Sequence, residues 1–85
     1  MSAERPALAL LRIVPVREIV RALESDGFTF TERQGNQRVY RHADRRRAVI
    51  HYHRPSGTLP PYVIRALLLG TRWTEADLRR LGLVK

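Results

Sequence analysis

The chain has 85 residues, which is enough for one domain with a single core and too few for two. Hydrophobic residues make up 44% of it, which argues against global disorder. The sequence carries 16 Lys and Arg residues against 8 Asp and Glu residues, so its formal charge is +8, and every basic residue except Lys85 is arginine. A surplus of this size favours a polyanionic partner, nucleic acid before a membrane.

Cysteine is absent, which excludes disulfides, thiolate catalysis and zinc sites built on Cys. The longest apolar stretch, Ala7 to Leu11, is interrupted by Arg12 and falls far short of the ~20 residues of a membrane span. Glu4 and Pro6 near the start argue against a secretory signal peptide. We therefore expect a soluble cytoplasmic protein with no membrane partner.

Residues 1–13 are predicted to form a flexible N-terminal extension, and residues 14–85 the folded domain. The extension has an apolar centre at Leu8, Leu10 and Leu11. These leucines dock either on the domain or on a partner, and the sequence leaves both alternatives open.

The first helix is predicted to begin at Pro15, because proline is favoured in the first turn of a helix. From Val16 to Glu24, apolar residues recur at helical spacing and charged residues cover the other side. Asp26-Gly27 supplies the stop, since glycine readily takes the left-handed conformation that often follows a helix.

Three strands are predicted next. Phe28 to Arg33 alternates aromatic with polar residues, as a half-buried strand does. The turn Gln34-Gly35-Asn36 leads to a second strand over Gln37 to His42. The turn Ala43-Asp44-Arg45 then leads to a third strand over Arg47 to His53. Because the connections are short, the sheet should be antiparallel.

A second helix is predicted to open at Pro60-Pro61 and to end at Gly70. Thr74 is a predicted N-cap of a short third helix, with Asp77 in the capping-box position three residues later. The predicted fold class is α+β, with a three-stranded antiparallel sheet and helices on one of its faces. Its α-β-β-β-α order, followed by a short C-terminal helix, is also that of double-stranded RNA-binding domains.

Several short segments of the chain form a recognisable pattern. The most specific part is Gly35-x-x-x-x-Tyr40, followed by His53 and the loop Leu59-Pro60-Pro61. In this order and spacing, the segment from Val14 to Leu81 resembles the HicA family of toxins, small ribonucleases of toxin–antitoxin pairs. The matching pieces are Pro15 to Leu23, Asp26 to Phe28, Gly35 to His42, Val49 to His53, Gly57 to Pro61 and Thr74 to Leu78.

The resemblance implies a double-stranded-RNA-binding-like fold and ribosome-independent cleavage of mRNA with no metal or other cofactor. It also implies neutralisation by a HicB-type antitoxin. The family typically reads Gly-Ser-His at the start of the second strand, and that histidine is its catalytic residue. This chain reads Gly35-Asn36-Gln37, so Gln37 takes the catalytic position. A glutamine amide forms hydrogen bonds but cannot shuttle protons near neutral pH as histidine does.

Three explanations of Gln37 are open at this point. In the first, the chain is an inactivated form of a toxin. In the second, it is a family member that binds RNA without cutting it. In the third, another histidine of the chain transfers the proton. For the last, His53 matches a histidine that recurs in the family after the third strand, and His51 and His42 are further candidates. Taken alone, His51 reads as an ordinary surface or hydrogen-bonded strand residue. Strand alternation places Gln37 on the face of Val39, which we expect to face the core, although Gln37 sits at the turn end, where a side chain can clear the core edge.

An arginine-rich surface is predicted to bind the RNA backbone, because guanidinium groups pair bidentately with phosphate. The run Arg45-Arg46-Arg47 would hold phosphates; the alternatives are a solvated charge run or a surface for an acidic antitoxin. Tyr40 is a candidate for base stacking, with core packing as an equal alternative. The predicted RNA-binding residues are Arg38, Tyr40, Arg41, Arg45, Arg46, Arg47 and Arg54.

The sequence also offers a possible metal site and two functions other than RNA cleavage. His51 and His53 would share a face of the third strand, a geometry that can bind metal, but no third ligand is evident nearby and we expect no metal site. The alternatives to an mRNA endoribonuclease are an RNA-binding module of the same fold that does not cleave, and a domain that acts mainly through a protein complex.

Overall fold

A three-stranded antiparallel sheet with helices flanking it forms the frame of the molecule. The computed structural model of the protein describes residues 9–84. Each strand pairs with its neighbour in sequence, in the order β1-β2-β3. This confirms the predicted α+β class and α-β-β-β-α order. The elements are α1 (Val16–Ser25), β1 (Thr29–Gln34), β2 (Gln37–Arg41), β3 (Arg47–His51), α2 (Pro61–Thr71) and α3 (Glu75–Arg80).

The helix ends follow from local chemistry. Gly27 has a φ of 97°, in the left-handed region, and a Cβ there would come within 2.8 Å of the His42 ring, so glycine is required at this position. Thr74 caps α3 through the predicted capping box, in which Thr74 and Asp77 each accept the other's backbone N–H. Among the helices of residues 9–84, none is both long enough and apolar enough to cross a bilayer.

Several element ends differ from the sequence-based prediction by one or two residues, and two of these differences bear on the site. β3 ends at His51, so His53 lies beyond the strand. α2 does not stop at Gly70 but continues past it, and Arg72 forms its left-handed C-cap. Gly70 lies within α2, where the helix packs against β3. A Cβ at this position would collide with the backbone carbonyl of Arg47, so a glycine is needed for α2 to approach β3 this closely.

The core lies between the helices and one face of the sheet. Tyr40 belongs to it with 1% of its surface exposed. Val39 is also buried, but the expectation that it points into this core is wrong, because it lies on the opposite face of β2 from Tyr40 and outside the cluster. Gln37 shares the face of Val39, which the helices leave open. The fully enclosed side chains of the cluster include Leu11, Ile19, Leu23, Ile50, Ile64, Leu67 and Leu78.

The residues that precede α1 are anchored by Leu11. Its side chain is 0% exposed and belongs to the core cluster, whereas Ile13 is 83% exposed. Of the two alternatives for the N-terminal leucines, Leu11 therefore docks on the domain itself. Leu10 stays at the surface, and Leu8 lies outside the described residues.

Candidate active site

The hairpin of β2 and β3 brings Gln37 and His51 together. They are direct cross-strand partners, and such partners project from the same face of a sheet. The Gln37 Nε2 atom lies 3.1 Å from His51 Nε2. In this orientation of the amide, Gln37 Nε2 donates and His51 Nε2 accepts, and the opposite orientation pairs Gln37 Oε1 with a protonated Nε2. The pair lies on the open face of the sheet, with Gln37 exposed and His51 half-buried.

Two further contacts fix the position of His51. The backbone N–H of Tyr52 donates to the carbonyl of Asn36 at 2.6 Å, which extends the pairing of β2 and β3 beyond the last ladder pair. The Tyr62 ring, in the first turn of α2, meets the His51 ring edge-on, with 6.0 Å between the centroids. Tyr62 is not among the predicted site residues, because its place beside His51 depends on how α2 docks on β3.

A cleft of about 510 Å³ opens beside the His51 ring. His53 and Arg54 line it, together with the loop that follows them. That loop is tied to the start of α1, where the backbone N–H of Val16 donates to the Gly57 carbonyl at 2.8 Å. This hydrogen bond satisfies one of the free N–H groups that every helix start exposes. The structure thus gathers His51, His53 and Arg54 in one cleft next to Gln37.

Both ring nitrogens of His42, the third candidate histidine, form hydrogen bonds within the protein. Its Nε2 atom donates to the carbonyl of Asp26 at 2.9 Å, and its Nδ1 atom accepts the backbone N–H of Asp44 at 3.1 Å. The ring also packs edge-on against Phe28, with centroids 5.1 Å apart. With both nitrogens engaged, His42 has no atom free to exchange a proton with a substrate.

Tyr40 and Arg38 lie on the other face of β2 from Gln37. Tyr40 is 1% exposed within the core, so a base cannot stack on its ring. Of the two alternatives for Tyr40, core packing is therefore correct. The Arg38 guanidinium lies over the Tyr52 ring, 3.8 Å from its centroid, and 5.7 Å from that of Phe30. Arg38 is therefore close to Gln37 along the strand but does not share its face.

Arg46, also predicted to bind RNA, is half-buried and takes part in an ionic cluster. It donates to the Thr71 carbonyl at 2.6 Å and to the Asp26 carboxylate at 3.3 Å. Asp26 also accepts from Trp73 Nε1 at 2.9 Å and from Arg80 at 3.2 Å. Burial alone would raise the pKa of Asp26, but the Trp73 hydrogen bond and the two guanidiniums together hold it below its ordinary value. Arg46 thus has its Nε and Nη1 atoms engaged by the fold, while part of its side chain lines a cleft at the turn.

The remaining predicted arginines differ in their partners. Arg41 pairs with Glu32 at 3.0 Å. No acidic side chain within residues 9–84 pairs with Arg38, Arg45, Arg47 or Arg54.

These free arginines do not form one continuous surface. Arg45 and Arg47 lie at the β2–β3 turn, where they line a smaller cleft of about 180 Å³ with Arg72. Arg54 lies in the cleft at the other end of the hairpin. The two ends are separated by about 13 Å, from the rise of ~3.3 Å per strand residue. Arg72 is not among the predicted RNA-binding residues, because the sequence-based prediction ends α2 before it, at Gly70.

The two neighbouring histidines do not share a strand face, because His53 lies beyond the end of β3. In the part of the chain that the structure describes, no three His, Cys, Asp or Glu side chains come together as a metal-binding group.

The fold is that of a small α+β domain with a three-stranded antiparallel sheet and exposed arginines at both ends of the β2–β3 hairpin. The family model described as HicA toxin of bacterial toxin–antitoxin matches residues 16–82, which is most of the chain. No curated protein matches the sequence. The chain therefore belongs to the HicA family of toxins, whose members are generally ribonucleases, and this confirms the resemblance found in the sequence.

Proposed function

We propose that this protein is a toxin that cleaves mRNA in the cytoplasm without the ribosome and without a metal ion, and that a HicB-type antitoxin neutralises it. The observation that carries the proposal is the contact between Gln37 and His51. Gln37 stands where the family has its catalytic histidine. The contact lies on an exposed sheet face, beside a cleft lined by His53 and Arg54.

The chemistry of RNA explains why so few groups are needed. The 2′-hydroxyl is a nucleophile already placed next to the phosphorus atom. A protein has only to remove its proton, supply a proton to the leaving 5′-oxygen and stabilise the charge on the phosphoryl oxygens. Arg54 can serve the last role, since a guanidinium binds phosphate oxygens in pairs. His53 lies in the same cleft and can assist in proton transfer.

RNA binding is assigned to the free arginines at the far end of the hairpin. Arg45, Arg47 and Arg72 are all exposed around the smaller cleft. They would hold backbone phosphates of the same strand that enters the site, at some distance from the scissile bond. Such contacts position the RNA without reading its bases.

A second candidate function is favoured by Gln37 itself. Its amide transfers no proton, and a well-placed general acid or base is typically worth ~10²–10⁴-fold in rate. If no histidine of this chain replaces the missing one, the same domain binds RNA and does not cleave it.

The test is cleavage of a long mRNA, with a chelator present and no ribosomes, by this chain and by its Gln37→His variant. The proposal predicts that both proteins bind the RNA and that both cut it into fragments. RNA retained but not cut by either protein would favour the binding module. Loss of both binding and cleavage by both proteins would overturn the proposed function.

Neutralisation is tested separately by adding a HicB-type antitoxin to the active protein. The proposal predicts that cleavage stops at one antitoxin per toxin site. Cleavage that continues at excess antitoxin, with complex formation verified by size-exclusion chromatography, would contradict it.

A further inference from the structure

We propose that His51 is the catalytic residue that takes the proton from the RNA 2′-hydroxyl, and that Gln37 is a positioning residue that holds the His51 ring. This inference rests on the proposed function, since it names the proton acceptor of that same cleavage site. It selects the third explanation of Gln37, in which another histidine has taken over the proton transfer.

The sheet register supplies the first argument. His51 on β3 is the direct cross-strand partner of Gln37 on β2. Paired residues of an antiparallel ladder have their Cα atoms about 5 Å apart and their side chains on one face. An imidazole at position 51 therefore reaches nearly the same space as an imidazole at position 37. The catalytic group has in effect moved across the hairpin to the neighbouring strand.

The second argument is that only His51 combines a fixed ring with a free nitrogen. Both ring nitrogens of His42 are bound within the fold. His53 is exposed and lies beyond β3, and no hydrogen bond from the described residues orients its ring. The His51 ring is held by Gln37 on one side and by Tyr62 on another. Its Nδ1 atom has no protein partner within residues 9–84.

The third argument is that a carboxamide suits both protonation states of its neighbour. In the observed arrangement the Gln37 amide donates to His51 Nε2. If the amide rotates by half a turn, its Oε1 atom accepts from Nε2–H and leaves a lone pair on Nδ1. That contact persists when the ring becomes an imidazolium. Gln37 can thus hold the ring throughout the reaction without adding a charge.

The step balances as follows. With the ring proton on Nε2 and held by Gln37 Oε1, His51 Nδ1 takes the 2′-hydroxyl proton, the 2′-oxygen forms a bond to phosphorus, and the bond from phosphorus to the 5′-oxygen breaks. The products are a 2′,3′-cyclic phosphate and a 5′-hydroxyl, whose proton comes from water. His51 then returns its proton to the solvent, so no metal or redox partner is required.

The decisive variant is His51→Gln, measured for single-turnover cleavage of a long mRNA beside the unchanged chain and His53→Gln. We expect His51→Gln to lose ~10²–10⁴-fold in rate and His53→Gln to lose less. Addition of Gln37→His to His51→Gln should restore cleavage, which would show that the single variant is folded and lacks only an imidazole. Equal rates for the unchanged chain and His51→Gln, or a larger loss in His53→Gln, would overturn the inference.

The positioning role of Gln37 has its own readout. In ¹⁵N NMR spectra of the histidine rings, Gln37→Ala should shift the balance of the two His51 tautomers and leave His42 unchanged. Its cleavage should show a lower kcat with KM nearly unchanged. Unaltered His51 ring signals in Gln37→Ala would overturn this part of the inference.

The two proposals fail in different ways. If only Gln37→His cleaves and the unchanged chain does not, the position of the ribonuclease site stands, but this chain is an inactive form and the role given to His51 is wrong. If no variant cleaves RNA and none binds it, the proposed function itself is wrong.

Discussion

The two ends of the β2–β3 hairpin use the same residue types for different purposes. At the turn end, His42 and Arg46 have their polar atoms engaged by the protein, through Asp26, Asp44 and the Thr71 carbonyl. At the opposite end, the His51 ring meets an uncharged amide and an aromatic ring, and no acidic side chain within residues 9–84 pairs with it. A histidine or arginine with all its partners supplied by the fold stabilises that fold. One with a free atom beside a cleft is available to a substrate.

The largest expected difference is between the two histidines. His51→Gln should reduce cleavage by ~10²–10⁴-fold and change the free energy of unfolding by less than about 0.5 kcal/mol. His42→Gln should do the reverse: it should cost about 1 to 2 kcal/mol of stability, because it removes two hydrogen bonds. Urea unfolding and single-turnover cleavage, measured on both variants, separate the two effects. Equal losses of stability in both variants would contradict the claim that His42 stabilises the fold and His51 does not.

The next effect concerns the ionic cluster at the turn end. Asp26→Asn should lower the free energy of unfolding by about 2 to 3 kcal/mol, since it removes the charge that Arg46 and Arg80 share. Asp44→Asn is the matched control, because Asp44 is 46% exposed and should matter less. Urea denaturation near pH 7 measures both. A larger loss in Asp44→Asn would contradict the central place given to Asp26.

The same cluster predicts a dependence on pH. The pKa of Asp26 is lowered in the folded protein, because the Trp73 hydrogen bond and two guanidiniums outweigh the opposing effect of burial. A depressed carboxyl pKa stabilises the fold at pH values above its unfolded value of ~3.9, and that stabilisation is lost as pH falls through the folded value. The stability difference between the unchanged chain and Asp26→Asn should therefore be constant from pH 7 to pH 5 and shrink below about pH 4. A difference that grows on acidification would contradict this assignment.

The smallest effect is on RNA binding by the exposed arginines. The double variant Arg45→Gln/Arg47→Gln should weaken RNA binding and reduce the slope of log affinity against log salt by about 1.4, at ~0.7 per phosphate contact on a single strand. The control Arg12→Gln/Arg65→Gln removes the same charge from two other exposed positions. Fluorescence anisotropy in a salt series measures both slopes. Equal changes in the two double variants would mean that net charge, and not the turn, sets the affinity.

The sequence predicted most of the fold because its signals are local. The helical spacing in α1, the Asp26-Gly27 stop and the Thr74 capping box each depend on residues a few positions apart. The family pattern is also local, and it predicts Gln37 as the catalytic position. The contact of Gln37 with His51 could not be predicted from the sequence, because the register of two strands depends on the whole hairpin and its packing.

Neighbouring residues show where the prediction failed. Arg45 and Arg46 look alike in the sequence, yet Arg45 adopts a φ of 79° and is exposed, whereas Arg46 turns inward to partners such as Thr71, 25 residues away. Val39 and Tyr40 are both buried, so alternation alone did not tell which one faces the helices. Only the position of the helices decides these cases, and that is a property of the tertiary structure.

The most direct test of the account is the ratio of single-turnover cleavage rates for the unchanged chain and His51→Gln, on one mRNA at saturating protein with chelator present. The account predicts that the unchanged chain cleaves and that the ratio is at least ~10². A ratio near one would show that the proton passes through another group, and it would remove His51 and its amide partner from the mechanism.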